Sequence, residues 1–334
     1  MDSISDIQQA IFQQIKDRIP AQNSFVHEIA ELLGLSYDSA YRRIRGDKEL
    51  TFQEVAKLAA SFRLSLDSIL NIQNNKVDFT CIPLDSKTFK VRDWLGIILN
   101  NMKEISSARE KEIIYAAKDV PVFHYFQLPE IAAFKIFFWE KTLFQFPEYE
   151  DKTFRLDEID PEIIKIGQKA LYYATKVPAK EIWNLDTFNI MLRQIEYYWI
   201  SGFFRKKDDA LNLVDKVEKW VQHIQKQAEI GSRFVYGQAN EGLENTFQFY
   251  ENEVVLSDNT ILATTDGKTT VYLTFNVLSL LVTNNSYFSG HISRYLSGLL
   301  KKSNLISLYG AKERNRFFNT LSVSIDKLKE RINH

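Results

Sequence analysis

One cysteine, Cys81, stands among 334 residues, so no disulfide can close within the chain. That suits a reducing cytoplasm, the expected location. Charge of one sign is missing as well. The 42 Lys and Arg are balanced by 43 Asp and Glu, and a net charge of −1 gives no general affinity for nucleic acid or membrane. The longest apolar run, Val271 to Val282, is broken by Thr274, Asn276 and Ser279 and is too short to span a bilayer. The start of the chain lacks the basic-then-apolar order of a signal peptide.

Catalytic and metal signatures are scarce too. The five histidines (His27, His124, His223, His291 and His334) are scattered, and none makes a spaced ligand pair with Cys81 or another histidine. No Gly-x-Ser-x-Gly elbow occurs. Gly267-Lys268-Thr269 mimics the end of a phosphate-binding loop, but Leu262 stands where that loop needs its first glycine. Glu110 and Glu112 read as the solvated face of a helix. No catalytic residue, metal or cofactor is therefore expected, and the chain is not expected to be an enzyme. An enzyme in the C-terminal part would need acids or histidines brought together from distant positions.

What is present is an ordinary globular composition, 45% hydrophobic and 25% charged, long enough for two or three domains. The most specific stretch is residues 26–46, VHEIAELLGLSYDSAYRRIRG. Ile29, Ala30, Leu33 and Leu35 repeat at helical spacing and can bury one face. Ala30 is small where a second helix must cross. Gly34 can take the left-handed conformation that a sharp helix stop needs. Ser36 is placed to cap a second helix, on which Ala40 and Ile44 share the inner face. Tyr37, Asp38, Tyr41, Arg42 and Arg45 are left outward, and Gly46 can end the helix.

The flanks extend the pattern. Ile4, Ile7, Ile11, Phe12, Ile15 and Ile19 mark an amphipathic first helix that stops at Pro20. Asn23 or Ser24 can cap the next. Thr51-Phe-Gln-Glu54 has capping-box spacing, with Leu50 and Val55 as a staple. Val55, Leu58, Ala59 and Phe62 form a further stripe. Ser65 opens one more short helix, stapled by Leu64 and Ile69. Five short helices in about seventy residues make a compact all-α domain, and two joined by a tight turn form the unit that lays its second helix in a DNA major groove.

The stretch resembles the Cro/repressor (XRE-like) helix-turn-helix family. Ala30, Gly34, Leu35, Ser36, Arg42 and Gly46 carry the likeness, followed by Leu50, Leu58-Ala59 and Ser65-Leu-Asp. The Tyr-Arg-Arg-Ile-Arg-Gly ending is similar to that of regulators from the Bacteroidetes group. The likeness covers the first fifth of the chain. It implies a lambda-repressor-like fold whose second helix meets bases through Ser36, Tyr37, Asp38 and Arg42, and phosphates through Arg45 and Lys48. Ser39 and Tyr41, on the same helix, complete the expected DNA-binding set. Arg43 departs from the family by standing where an apolar residue is usual. As chemistry, Arg can pair bidentately with guanine and Asp can accept from the cytosine amine. A Tyr ring can touch a thymine methyl. Arg43, Arg45 and Lys48 are phosphate candidates whose contributions fall with salt. Over residues 1–70, however, eight Lys and Arg face ten Asp and Glu, so the basic patch is local.

The rest divides by pattern. Residues 73–87 read as a linker after a domain at 1–72. Residues 88–230 read as a helical domain for dimerisation or sensing, with helices at Phe89–Ser106, Pro129–Phe146, Pro161–Thr175, Ala179–Arg205 and Lys207–Ile230 and prolines near the joins. The aromatic-dense stretch from Phe123 to Tyr149 and the Tyr197-Tyr198-Trp199 cluster read first as core, with an aromatic-lined pocket or a dimer interface as the alternative. Residues 231–334 read as a small α+β domain, a candidate sensor. Its strands are Phe247–Leu256 and Thr260–Thr265, a hairpin at Asp266-Gly267, and a β-rich run over Thr269–Val282. Helix Ser286–Lys301, strand Leu305–Tyr309 and helix Ala311–Ile332 follow.

The expected fold is mainly α with a C-terminal α+β part. The expected function is a sequence-specific transcriptional regulator that binds double-stranded DNA as a homodimer, with a small-molecule or protein effector and no membrane partner. The alternative is a protein-interaction adaptor with a helix-turn-helix fold that does not bind DNA.

Overall fold

The computed structural model describes residues 4–16, 19, 24–69, 77–82, 89–156, 158, 160–239, 245–254, 258–275 and 277–334. Asn23, Pro20 and most of the expected linker at 73–87 lie outside them. The chain folds as two units, residues 1–78 and 79–334.

The first unit is built of α1 (Ile4–Lys16), α2 (Phe25–Leu33), α3 (Tyr37–Arg45), α4 (Phe52–Phe62) and α5 (Leu66–Ile69). Its core is small and contiguous. Ile11, Phe12 and Ile15 of α1 meet Ile29, Ala30 and Leu33 of α2, with Ala40, Leu58, Leu64 and Ile69 completing it. The helix ends follow from local chemistry. Gly34 and Gly46 take left-handed φ of 69° and 84° to stop α2 and α3. Ser36 Oγ accepts the Ser39 amide. Thr51 and Glu54 close a reciprocal capping box on α4. Ser24 sits at the α2 N-cap without a side-chain cap bond.

The second unit wraps helices around an eight-stranded sheet. In chain order its elements are β1 (Thr80–Ile82), α6 (Val91–Ser107), β2 (Lys111–Ala116), α7 (Pro129–Phe138), α8 (Pro161–Thr175), β3 (Ala179–Trp183), α9 (Leu185–Ile200), α10 (Lys207–Ile230), β4 (Phe247–Glu251), β5 (Thr260–Thr265), β6 (Lys268–Phe275), β7 (Ser279–Thr283), α11 (Ser286–Lys301), β8 (Asn304–Leu305) and α12 (Ala311–Asn333). The sheet order is β1-β7-β6-β5-β2-β3-β4-β8. β2, β3 and β4 run parallel, and the other pairings are antiparallel. β2 shows the two-faced pattern of a covered strand. Ile113 and Tyr115 enter the large core, whereas Ile114 and Ala116 meet Leu262, Val271 and Leu296 beneath α11.

The mainly helical character with a C-terminal sheet-and-helix part is as expected, and several helices match their expected ends. Four readings change. Ala179–Trp183, expected as the start of a helix, is β3. The helix begins only after Asn184, whose side chain accepts the Thr187 amide. Lys111–Ala116, with Glu112 expected on a helix face, is β2. The run Thr269–Val282 is two strands, β6 and β7, turning at Val277 and Leu278. The strand expected at Leu305–Tyr309 is confined to Asn304–Leu305 and is followed by Leu308 at a left-handed φ of 56°. β2 and β3 therefore share one sheet with β4–β8, so the expected division near residue 230 falls inside a single unit. Parallel strands need long crossovers, and the helices between β2 and β4 are those crossovers.

A fully buried carboxylate, Glu181 on β3, ties this unit together. It accepts from His124 Nε2 at 3.0 and 3.1 Å, from Arg233 Nη1 at 3.1 Å and from Trp183 Nε1 at 3.1 Å. Burial pushes its pKa up, but His124, Arg233 and Trp183 outweigh that and hold it below the ordinary value. Arg233 also donates to the carbonyls of Ala174 and Val177, both at 2.6 Å, and lies between the Phe123 and Phe247 rings. Arg233→Met keeps the bulk but removes the one cation, among the described residues, at the Glu181 carboxylate other than His124, and with it the donors to the Ala174 and Val177 carbonyls. It should cost about 3–5 kcal/mol, read from urea unfolding of the full chain.

Candidate nucleic-acid interface

The face that α3 turns outward is polar and aromatic. Tyr37 and Tyr41 are 58% and 43% exposed, and Asp38, Arg42 and Arg45 are exposed beside them. Exposed Lys48 follows in the turn after Gly46. Ser36 and Ser39 are occupied differently. Ser36 Oγ accepts the Ser39 amide at 3.3 Å and lies 3.0 Å from Ser39 Oγ, so this pair shapes the helix start while staying at the surface. Arg45 rests over the Tyr41 ring at 5.8 Å and approaches Asp47 at 3.7 Å. The expected set of Ser36, Tyr37, Asp38, Ser39, Tyr41, Arg42, Arg45 and Lys48 is thus gathered along one short helix and its ends.

Arg43, expected among the phosphate candidates, is not part of this face. It is 5% exposed and points into the domain. Its Nη2 pairs with Glu54 of α4 at 2.8 Å, and its Nη1 donates to the Ser39 carbonyl at 3.1 Å. The reason is helical spacing. Arg43 lies three residues after fully buried Ala40, on the inward stripe, so a cation there needs a partner inside. Glu54 supplies it while also capping α4 through the Thr51 amide.

A second residue anchors the helix end. Gln8 of α1 is 5% exposed. Its Nε2 donates to the carbonyls of Arg43 at 2.7 Å and Lys48 at 2.9 Å, and its Oε1 accepts the Leu50 amide at 2.8 Å. One side chain therefore satisfies three backbone groups where α3 ends. Sequence reasoning missed Gln8. The available signal was a polar residue at an apolar-stripe position between Ile4 and Ile11. Basic charge at the surface is modest, since Arg42, Arg45 and Lys48 are accompanied by Asp38 and Asp47.

Two helices at a glycine turn, with the second presenting Arg, Asp and Tyr side chains, match the geometry of a major-groove reader. Residues 6–105 match the BetR domain family. This is a family of DNA-binding, helix-turn-helix-like domains, and the match covers 100 of the 334 residues. The BetR match spans all of α2 to α5, including the whole outward face of α3, and ends within α6. No curated protein and no solved structure matches the chain. Among the described residues, no helix is long and apolar enough to cross a membrane, and no cluster of His, Cys, Asp and Glu could hold a metal ion.

The Arg43–Glu54 pair is expected to tie the stability of the domain to pH. Burial raises the Glu54 pKa, but hydrogen bonds from Arg43 and Thr51 and the Arg43 charge bring it below the ordinary 4.5. A carboxyl depressed in the folded state adds stability above its unfolded pKa and loses it as pH falls through the folded value. Protection of the α3 and α4 amides, taken relative to their intrinsic exchange rate at each pH, should therefore fall as pH drops below about 4.5. Glu54→Gln should lose part of that dependence while weakening the domain at neutral pH. An unchanged pH profile in the variant would show that the pair does not set it.

Proposed function

We propose that this protein is a sequence-specific DNA-binding transcriptional regulator of the Cro/repressor type, with α3 as the reading helix. The outward face of α3, locked from behind by Arg43 and Gln8, carries this reading. Its chemistry suits base edges. Arg42 can donate two parallel bonds to guanine, Asp38 can accept from cytosine, and Tyr37 and Tyr41 offer rings to thymine methyls. Arg45 and Lys48 at the helix end suit phosphates.

One such helix reads few base pairs, so the protein acts as a homodimer on two half-sites about one helical turn, roughly 34 Å, apart. In this reading residues 79–334 supply the dimer contacts and sense an effector, the protein is cytoplasmic, and no catalytic step is involved. The acidic balance of residues 1–70 and Arg43's departure from the family pattern are what favour the adaptor alternative. The balance stands, but Arg43 now has a structural role inside the domain that is compatible with either reading.

Selection of bound genomic fragments at two salt concentrations gives the site and its spacing. On selected and scrambled DNA, Arg42→Ala should lose most of the sequence preference, about 1–3 kcal/mol. Lys48→Ala should weaken both DNAs alike and lower the salt slope by about one. Equal losses on both DNAs for Arg42→Ala would remove its base-reading role. An absence of salt-sensitive binding would favour the adaptor.

A further inference from the structure

The second unit contains a cavity of about 110 Å³ between α6, the segment after β2 and one face of the sheet. Its wall is largely carbon, with Trp94, Met102, Val122, Phe123, Ile261 and Leu280 contributing. A dry apolar cavity of this order accepts a compact apolar molecule. The polar groups in the wall narrow the chemistry further.

The one charged side chain in the described wall, Asp119, is already answered. Its Oδ1 accepts the Tyr125 hydroxyl at 2.6 Å and the Val120 amide at 2.9 Å, and Lys135 Nζ stands 3.3 Å from Oδ2. Among the described residues, no Lys, Arg or His lines the cavity. An anion would find no cation there, and a cation would find a carboxylate already paired. Charged ligands are therefore disfavoured by desolvation.

The unspent groups are mostly donors. Asn259 is 8% exposed, and its Oδ1 accepts the amides of Lys118 and Asp119 at 2.7 and 3.1 Å. That orientation leaves its Nδ2 with no acceptor among the described residues. Tyr115 is 6% exposed, and its hydroxyl has no hydrogen-bond partner among them. The indole N–H of Trp139, also in the wall, is buried without an acceptor among the described residues. The Trp139 N–H is sealed from solvent, while the Tyr115 hydroxyl and the Asn259 amide face the apolar cavity, where they can hold an acceptor brought from outside.

We propose that this cavity binds a small, neutral, mainly apolar molecule carrying one hydrogen-bond acceptor, such as a carbonyl, held by the Tyr115 hydroxyl and the Asn259 amide. This deepens the sensing reading above by naming the ligand's chemistry, and it rests on that reading only for its biological use.

The test is calorimetric titration of the full-length protein, without DNA, with acetophenone, ethylbenzene and benzoate. Acetophenone should bind saturably at one site, with benzoate at least about tenfold weaker. Tyr115→Phe removes only an unpartnered hydroxyl, so the fold should persist. It should weaken acetophenone roughly two- to tenfold, the worth of one net hydrogen bond, and leave ethylbenzene unchanged. Leu280→Trp, checked by circular dichroism, should abolish binding of both neutral probes. The proposal is overturned if acetophenone does not bind, if benzoate binds equally well, or if Tyr115→Phe leaves acetophenone affinity unaltered. Ligand binding that does not alter DNA affinity would leave the site standing and remove only the sensing role.

Discussion

The outward face of α3 depends on a charge buried behind it. Arg43 cannot leave the interior without stranding Glu54, and Glu54 cannot move without uncapping α4. Gln8 then ties the carbonyls at the end of α3 to α1. A nine-residue helix is too short to hold its own orientation, since most helical stability comes from tertiary packing. Here polar contacts add direction to that packing. A buried ion pair of this kind is weak evidence for extra stability, but it favours one rotation of the helix over its neighbours. The rotation it favours is the one that presents Tyr37, Asp38, Tyr41, Arg42 and Arg45 together.

The second unit is organised by a comparable device at larger scale. Glu181 sits on the central parallel strands and collects His124 from the segment after β2 and Arg233 from the segment after α10. Three stretches far apart in sequence thus converge on one carboxylate. Aromatic packing fills the space around it, with Trp183 and Phe249 edge-to-face at 5.0 Å and His124 against Trp183 at 5.5 Å. The nearby Asp119–Lys135 pair serves the same purpose at the edge of the cavity, where Lys135 also lies over the Tyr125 ring at 4.5 Å.

Much of the first unit was legible in the sequence because its signals are local. Gly34, Ser36, Gly46 and the Thr51–Glu54 box act within a few residues of where they stand, and each occupies the position its chemistry implies. Asp266 and Gly267 likewise adopt left-handed φ of 47° and 78° in the hairpin turn. What escaped were residues whose partners are remote. Arg43 looked like a surface cation until Glu54 was placed beside it, and Gln8 acts on residues 35 to 42 positions away. β2 and β3 escaped for a related reason. Central strands covered on both faces lack the alternation of an exposed sheet, and Ala179–Trp183 runs straight into a strong helical pattern. The aromatic stretch from Phe123 to Tyr149 was legible as core, with Tyr125, Phe126, Phe134 and Trp139 nearly sealed from solvent. The same stretch also lends Phe123, Tyr125 and Trp139 to the cavity wall.

The pairing of β1 with β7 joins Thr80 to Val282 and Cys81 to Leu281. About two hundred residues must leave the ribosome before β1 finds its neighbour, and β2 likewise waits for β5. Such long loops are slow to close, whereas the contacts of Gln8 within the first unit span only 35 to 42 positions. During synthesis the first unit can therefore fold roughly 10–40 seconds earlier, at translation rates of about 5–20 residues per second. For that interval the chain carries a finished helix-turn-helix and an unfinished sheet.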